Sequence, residues 1–564
     1  MPIHRLTQAP RTKGPRPNDT CPAHRATASG WVSRFLPALV LAGATLYYLS
    51  YIRYGINLND EGVPLLGADA ILKGKVLYRD FFMPYMPGRY FLYALFFRLF
   101  GAGIIQGRVL GLVARLCSAA LAIRLGRRIL PPALAVLPAI LMTLVPGPWH
   151  KSLFVMLSLA NAAVAVWYVD RPGVKRLIAC GVAAGLTTVY RSWLGYVAIG
   201  TLSVAVFLAE SATLSERGQS IRAAVAAWIA KTALLLIVAA AVVAPVFLYF
   251  HAQGALEHLL QRVPFGALRY NLARREGFPA LVSLSGTEDS RFGGLIEVVG
   301  HDLYALLYAF APLAYVLALA YLGRRFSRAA LDGQDRTALV LCASGILVYG
   351  SVYILPHPLN LLPALPMGYL VSAYLGYRLL SVLARPVKWW ARPCVSICLA
   401  GVVVYLCASL LALVIGWPNP YNIGAINLRW SNPAYLDLPR AGVYGTASEV
   451  EEVKRTVEYV RAHTHPNDTL LLVPRDGPLF QFLCERFPPS KQPLQFSVNE
   501  RRHEKEQLLI RDLATHRTPY IVVWEDMSRN PVLALPDSEI MRYIRENYQE
   551  EARFRQYTIL GLKP

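Results

Sequence analysis

The feature that most constrains this chain is a series of apolar runs, each about 20 residues long, separated by short polar connections. A helix of that length crosses the ~30 Å hydrocarbon core of a bilayer, where every backbone group must find its partner within the segment. Composition agrees. Of the 564 residues, 55% are hydrophobic and 16% charged, with mean hydropathy +0.37, whereas soluble domains run nearer about 45–50% and 25%. Runs at about 35–54, 106–125, 132–148, 152–169, 176–191, 193–209, 224–249, 302–322, 337–355, 359–380 and 394–416 predict eleven crossings. The fold class is an α-helical polytopic membrane protein.

The net charge of +22 is distributed in clusters between these runs, which encodes orientation and not nucleic-acid binding. Arg124/Arg127/Arg128, Arg171/Lys175/Arg176, Arg217/Arg222/Lys231, Arg324/Arg325/Arg328/Arg336 and Arg378/Arg385/Lys388/Arg392 fall on alternate connections. Placing them in the cytosol puts the N-terminus inside the cytoplasmic membrane. Residues 55–105, about 251–300 and everything after 417 are then outside. Residues 1–34 read as a disordered basic cytosolic tail, and the run at 35–54 as a retained helix without a cleavage site. Of eight cysteines, six lie in or beside apolar runs, and Cys394 and Cys398 lack redox or zinc spacing. They read as packing residues.

The segment "YFLYALFFRLFG", 90–101, is too short to span and reads as an interfacial or re-entrant helix. Counting it as a crossing would place Arg124–Arg128 outside and invert every later loop. After Trp417 the character changes. "SEVEEVKRTVEYVRAH" has an amphipathic helical pattern, "DTLLLVP" and "PYIVVWE" are strand-like, and "EKEQLLIRDLATHR" between them is helical. This alternation predicts a soluble extracytoplasmic α/β domain over 417–564. It has no phosphate-binding glycine loop and no nucleophile elbow, so it reads as a supporting or acceptor-binding unit.

The first outer loop holds the chemistry. In "NDEGVPLLGADAILKGKVLYRDFFMPYMPGRY", 59–90, Pro64 and Gly74 bracket a short helix, with Val63, Leu66 and Ala70 at helical spacing. That helix is expected on the membrane surface. Asp60 and Glu61 precede it, where its dipole favours ionised acids. The ordinary readings are an N-cap for Asp60 and a solvated first-turn charge for Glu61. Against them stand a further acid, Asp80, and the basic residues Lys73, Lys75, Arg79 and Arg89 in the same outside loop. Mixed acids and bases at a lipid interface suit a substrate joining a hydrocarbon tail to a phosphate and a polar group.

The stretch "DEGVPLLGADAILKGKVLYRDFFMPYMPGRYFLYALFFRLFG" resembles the first outer loop of the GT-C glycosyltransferases. More closely, it is similar to the bacterial branch related to protein mannosyltransferases and lipid A aminoarabinose transferases. There an acidic pair follows the first membrane helix, then a surface helix ending in "G…YRDF", a Pro/Tyr segment and an "LF…LFG" run. "GLTTVYRSWLG", 185–195, and "HPLNLLPALP", 357–366, resemble two further patches. The chain departs from the pattern in its spaced prolines, "MPYMPGRY" for "PPLYY", and in "RSW" after the helix.

The resemblance implies a GT-C membrane domain over 35–416 and transfer of a sugar from a polyprenyl-phosphate donor to a glycan, lipid or protein acceptor. Asp60, matched to the family's first acid, is then the expected base. Glu61 and Asp80 are expected to orient the acceptor or hold a divalent cation, the one cofactor the reading leaves open. Lys73, Arg79, Arg89, Arg191 and His357 are expected to bind the lipid phosphate, although interfacial lipid contacts explain such residues equally well. His150, His251, His301 and His357 come from separate loops without ligand spacing. The competing classes are a lipid-linked glycan transporter and a non-catalytic envelope scaffold. A transporter places ionisable groups within its spans, whereas here they crowd one loop.

Overall fold

The computed structural model describes residues 29–58, 60–81, 83–217, 220–262, 293–327, 331–354, 356, 358–383, 428–473, 477–490, 502–524 and 538–564. The predicted run at 394–416, Cys394 and Cys398, and most of the tail and of the loop at 251–300 lie outside them. The helices of the membrane part are α1 (Ser29–Tyr51), α2 (Gly62–Leu72), α3 (Gly88–Phe100), α4 (Ile104–Ile129) and α5 (Leu137–Leu144). They continue with α6 (Ser152–Asp170), α7 (Val174–Tyr190), α8 (Ser192–Arg217), α9 (Ile221–Ala252) and α10 (Leu256–Arg262). The last are α11 (Gly293–Ser327), α12 (Gly333–Ile354) and α13 (Pro358–Leu383).

Among the described residues, five helical segments are long and apolar enough to cross a membrane: Ile104–Ile129, Trp149–Asp170, Ser192–Ser211, Ile221–Ala252 and Gly333–Ile354. The runs expected at 35–54, 176–191, 302–322 and 359–380 also fall on helices. The run at 132–148 does not form the expected regular span. Its helix, α5, has eight residues, about 12 Å of rise. Pro131, Pro132, Pro138, Pro146 and Pro148 interrupt the ladder that a longer helix needs. The chain still returns along α4, from beside Gly126 at Ala135 to beside Arg115 at Gly147.

The C-terminal part contains β1 (Ala434–Leu436) and β2 (Val443–Gly445), paired antiparallel, then α14 (Ala447–His463) and β3 (Leu470–Val473). After these come α15 (Pro478–Cys484), α16 (Arg502–His516), β4 (Tyr520–Trp524), α17 (Glu539–Asn547), β5 (Tyr548–Phe554) and β6 (Tyr557–Leu562). Strand order in the larger sheet is β3-β4-β6-β5, with β3 parallel to β4 and the other pairs antiparallel. The parallel pair needs a crossover, and α16 lies within it. Cys484 is buried at the end of α15, and that burial pushes its thiol up to about 12, as befits a packing residue.

Loop one is not an isolated surface feature. Leu65, Leu66, Tyr90, Tyr93 and Phe97 share one hydrophobic core with Leu479, Phe480, Phe482 and Val450. Helix α2, expected on the membrane surface, is instead packed between α3 and α15, with eight of its eleven residues buried. The reason is α15: a helix apolar on nearly all sides needs cover on nearly all sides, and α15 supplies the missing one. On α3 the outer stripe Phe91, Leu95, Leu99 remains exposed opposite buried Tyr90, Tyr93 and Phe97, the pattern of a short helix with one face toward lipid.

Two contacts fix the turn that carries the acidic pair. From α4, Arg108 donates from Nε and Nη2 to the two oxygens of Glu61, at 2.7 and 2.8 Å. Its remaining N–H groups reach the carbonyls of Ile52, Tyr54 and Gly55, at 2.8, 3.2 and 2.8 Å. All five guanidinium donors are used. From α15, the Leu479 amide donates to the Leu58 carbonyl at 3.1 Å, and a Cβ at Gly62 would collide with the Leu479 backbone. Both Arg108 and Glu61 are buried, so neither tolerates losing the other. Arg108→Ala is expected to destabilise the protein by about 3–5 kcal/mol, the cost of stranding one member of a buried pair. Thermal unfolding of the detergent-solubilised protein measures it, and a melting point equal to wild type would show that the pair contributes little.

Candidate active site

Asp60 sits in the turn between α1 and α2, with its amide donating to Asn57 Oδ1 at 3.1 Å. It is not the N-cap: that position belongs to Glu61, whose side chain makes no capping bond. Nor is Glu61 the solvated charge of the ordinary reading, since Arg108 takes both of its oxygens inside the protein. Asp60 is half-buried, and its carboxylate lies within electrostatic range of the Lys151 ammonium. The two neighbouring acids thus have opposite situations, one saturated and one available to a substrate.

Around Lys151 gathers a group of cations from three segments. Lys151 ends the short turn Trp149–Lys151 before α6, and its Nζ donates to Asn360 Oδ1 on α13 at 3.0 Å. Arg191, the C-cap of α7, and Arg89, in the first turn of α3, both act electrostatically on Lys151. The two guanidiniums flank one aromatic ring, Tyr85, at 4.9 and 5.0 Å from its centroid, and Arg191 also lies 5.4 Å from the Phe154 ring. Arg89 is buried and donates from Nη2 to the His150 carbonyl at 3.0 Å, while its Nε has no hydrogen-bond partner among the described residues. The Arg191 side chain makes no hydrogen bond or ion pair among the described residues. Guanidiniums held in place by rings, with donors unspent, are suited to bidentate recognition of an anionic oxygen group.

A cavity opens beside Lys151, lined by Tyr48, Arg115, Val145, Leu362, Pro363 and Tyr369 among others. Arg115 is fixed there by Tyr51 Oη at 3.0 Å and Ser152 Oγ at 3.1 Å, with the Trp149 ring 3.6 Å from its guanidinium. The walls are mostly apolar, and Arg115 and Lys151 are the cations that line it.

The other expected site residues have different positions. Asp80 is bound by Arg79, at 2.7 and 3.2 Å, and accepts the Val76 amide at 2.7 Å. Arg79 also reaches the Gln253 carbonyl at 3.3 Å. These bonds close the "YRDF" turn, in which Tyr78 adopts φ +67°, a conformation uncommon for a bulky side chain. The Tyr78 hydroxyl donates to the Tyr85 carbonyl at 2.6 Å, so the turn locates the ring that Arg89 and Arg191 share. Lys73 belongs to a network with Asp69, Arg440, Glu485 and Arg461 that joins α2 to the C-terminal part. His357 lies outside the described residues, as does the His301 side chain.

Glu61 is taken by Arg108 and Asp80 by Arg79, and among the described residues no three His, Cys, Asp or Glu side chains gather as a ligand set. Sequence reasoning did not single out Lys151, Asn360, Arg108 or Arg115. The arginines did leave a signal: two lone cations inside an apolar run, two helical turns apart and so on one face.

No family model and no curated protein matches the sequence. Solved structures do match in fold. The archaeal oligosaccharyltransferase AglB from Archaeoglobus fulgidus, in complex with an inhibitory peptide and a dolichol-phosphate, aligns with TM-score 0.50 and 12% identity, covering 94% of this chain and 75% of its own. ArnT from Cupriavidus metallidurans in the apo state aligns with TM-score 0.50 and 15% identity, covering 95% and 98%. The chain shares the fold of these two structures. The likeness extends over both the membrane bundle and the C-terminal part, as those coverages require.

The Asp80 turn gives a pH signature. Partial burial pushes the Asp80 carboxyl up, but the Arg79 guanidinium, the Val76 amide and Lys75 outweigh it and hold it below its ordinary value. A depressed carboxyl contributes stability that is complete above the unfolded value, about 3.9, and is lost as pH falls through the lower folded value. Hydrogen exchange at the Val76 amide, corrected for intrinsic rate, should therefore stay protected from neutral pH down to about pH 4 and open below it. Arg79→Met should move that opening to higher pH. An unchanged midpoint in the variant would rule out Arg79 as its cause.

Proposed function

We propose that the chain is a glycosyltransferase of the cytoplasmic membrane, moving a sugar from a polyprenyl-phosphate donor to a hydroxyl of a glycan, lipid or protein acceptor. The proposal keeps the eleven-span topology, with the N-terminus cytosolic and residues 417–564 an extracytoplasmic α/β domain. The observation that carries it is one available carboxylate, Asp60, set against Lys151, Arg89 and Arg191. That arrangement sits on a fold shared with an oligosaccharyltransferase whose structure holds a dolichol-phosphate.

In this reading Asp60 accepts the proton of the acceptor hydroxyl as its oxygen attacks the anomeric carbon. The bond between that carbon and the donor's phosphate oxygen breaks, and its electron pair leaves with the polyprenyl phosphate. Arg89, Arg191 and Lys151 meet the charge that develops there, a stabilisation needing no reorganisation because rings and backbone already hold the side chains. Glu61 and Asp80 act by position: Glu61 through Arg108, which fixes the Asp60 turn, and Asp80 through the turn that sets Tyr85.

Purified protein in lipid, given a radiolabelled polyprenyl-phosphate sugar and cell-envelope fractions as acceptors, tests the assignment. Asp60→Asn is expected to lower turnover by about 10²–10⁴-fold, the usual contribution of a general base, with donor binding kept. Arg191→Ala is expected to raise the donor KM by about tenfold, the loss of one charge-assisted contact. Transfer by Asp60→Asn at the wild-type rate would remove Asp60 as the base.

A further inference from the structure

At the other end of the bundle, α4 and α6 enclose a second polar cleft that the proposed reaction does not use. Its volume is about 150 Å³, and it is lined by Arg124 and Arg128 on α4, Ala163, Val166 and Trp167 on α6, and Asp170. Its height in the membrane follows from α4 itself. Arg108, near the start of α4, holds the Asp60 turn, and Arg128 lies about 20 residues further along, about 30 Å of helix. That is the thickness of the hydrocarbon core. The cleft therefore lies at the headgroup level of the leaflet opposite Asp60.

We propose that this cleft binds the phosphate of an anionic membrane phospholipid. Arg124 and Arg128 are one helical turn apart, so their guanidiniums project from one face of α4. Arg128 pairs with Asp170. The Arg124 side chain is exposed and makes no hydrogen bond or ion pair among the described residues. One carboxylate against two guanidiniums leaves the cleft net positive, with one planar donor set unspent for a phosphodiester. Below the charges, Ala163 and Val166 give an apolar floor for the upper acyl chain. Trp167, 39% exposed, stands at the rim. Arg176 holds it there, lying 4.6 Å from the ring centroid and donating to the Trp167 carbonyl at 2.8 Å. A tryptophan at the interface and a basic recess between membrane helices are the usual elements of headgroup recognition.

Native mass spectrometry of the full-length, delipidated protein tests this, with phosphatidylglycerol titrated against phosphatidylcholine. Wild type is expected to retain phosphatidylglycerol selectively. Arg124→Gln should weaken that retention by about tenfold, the loss of one charge-assisted contact, and Arg124→Gln with Arg128→Gln should abolish the preference. Arg324→Gln, which removes a charge from another basic connection, should leave it unchanged. Because Arg124 is an exposed side chain without a protein partner among the described residues, its single variant reads binding and not folding. Wild-type retention in the double variant would overturn the proposal. So would an equal loss in Arg324→Gln, which would mean bulk charge, or displacement of the lipid by millimolar inorganic phosphate, which would mean a free-phosphate site. None of these outcomes depends on sugar transfer.

Discussion

Arg108 is the interaction on which the rest of this structure depends. A guanidinium has five N–H donors, and here one side chain spends all five on the turn between α1 and α2. Two go to a neighbouring acid and three to backbone carbonyls of the non-helical segment that follows α1. A single charge on a membrane helix thus satisfies a non-helical segment at the place where the chain leaves the bilayer. It also neutralises Glu61, so that Asp60 beside it is left as the carboxylate facing Lys151.

The candidate site is divided between elements of different rigidity. Its cations sit at the ends of helices α3 and α7 and in the proline-bounded turn before α6, all anchored in the bundle. Its acid sits on a loop. Stacking on Tyr85 and Phe154 limits the motion of long, flexible arginines, lowering the entropy lost when a ligand binds. The loop gains comparable restraint from outside, through Arg108 on one side and the α15 backbone on the other. Neither half of the site contains enough contacts to set its own geometry.

Much of this was legible in the sequence because it rests on local patterns. Apolar runs located the helices, and the length of 90–101 marked it as too short to cross. "SEVEEVKRTVEYVRAH" and "DTLLLVP" read as the helix and strand they form. The acidic pair and Arg191 were visible as charges at the outer ends of helices. What stayed hidden depends on partners distant in sequence. Glu61 looked solvated because Arg108 is 47 residues away, and Lys151 looked like an ordinary outside lysine because Asn360 is 209 residues away. Helix α2 looked like a surface helix because the element that covers it belongs to the last quarter of the chain. The break at α5 was missed for another reason: hydropathy counts apolar residues and is blind to the prolines among them.

The contact between Gly62 and α15 gives assembly a direction in time. The turn that carries Asp60 is among the first parts of the protein to be synthesised, whereas the backbone that closes over it arrives about 400 residues later. At about 5–20 residues per second, the turn waits roughly 20–80 seconds for its cover. During that interval the membrane helices can insert and Arg108 can find Glu61, but the loop lacks its outer wall. The Asp60 carboxylate is thus set in place only once α15 has been made.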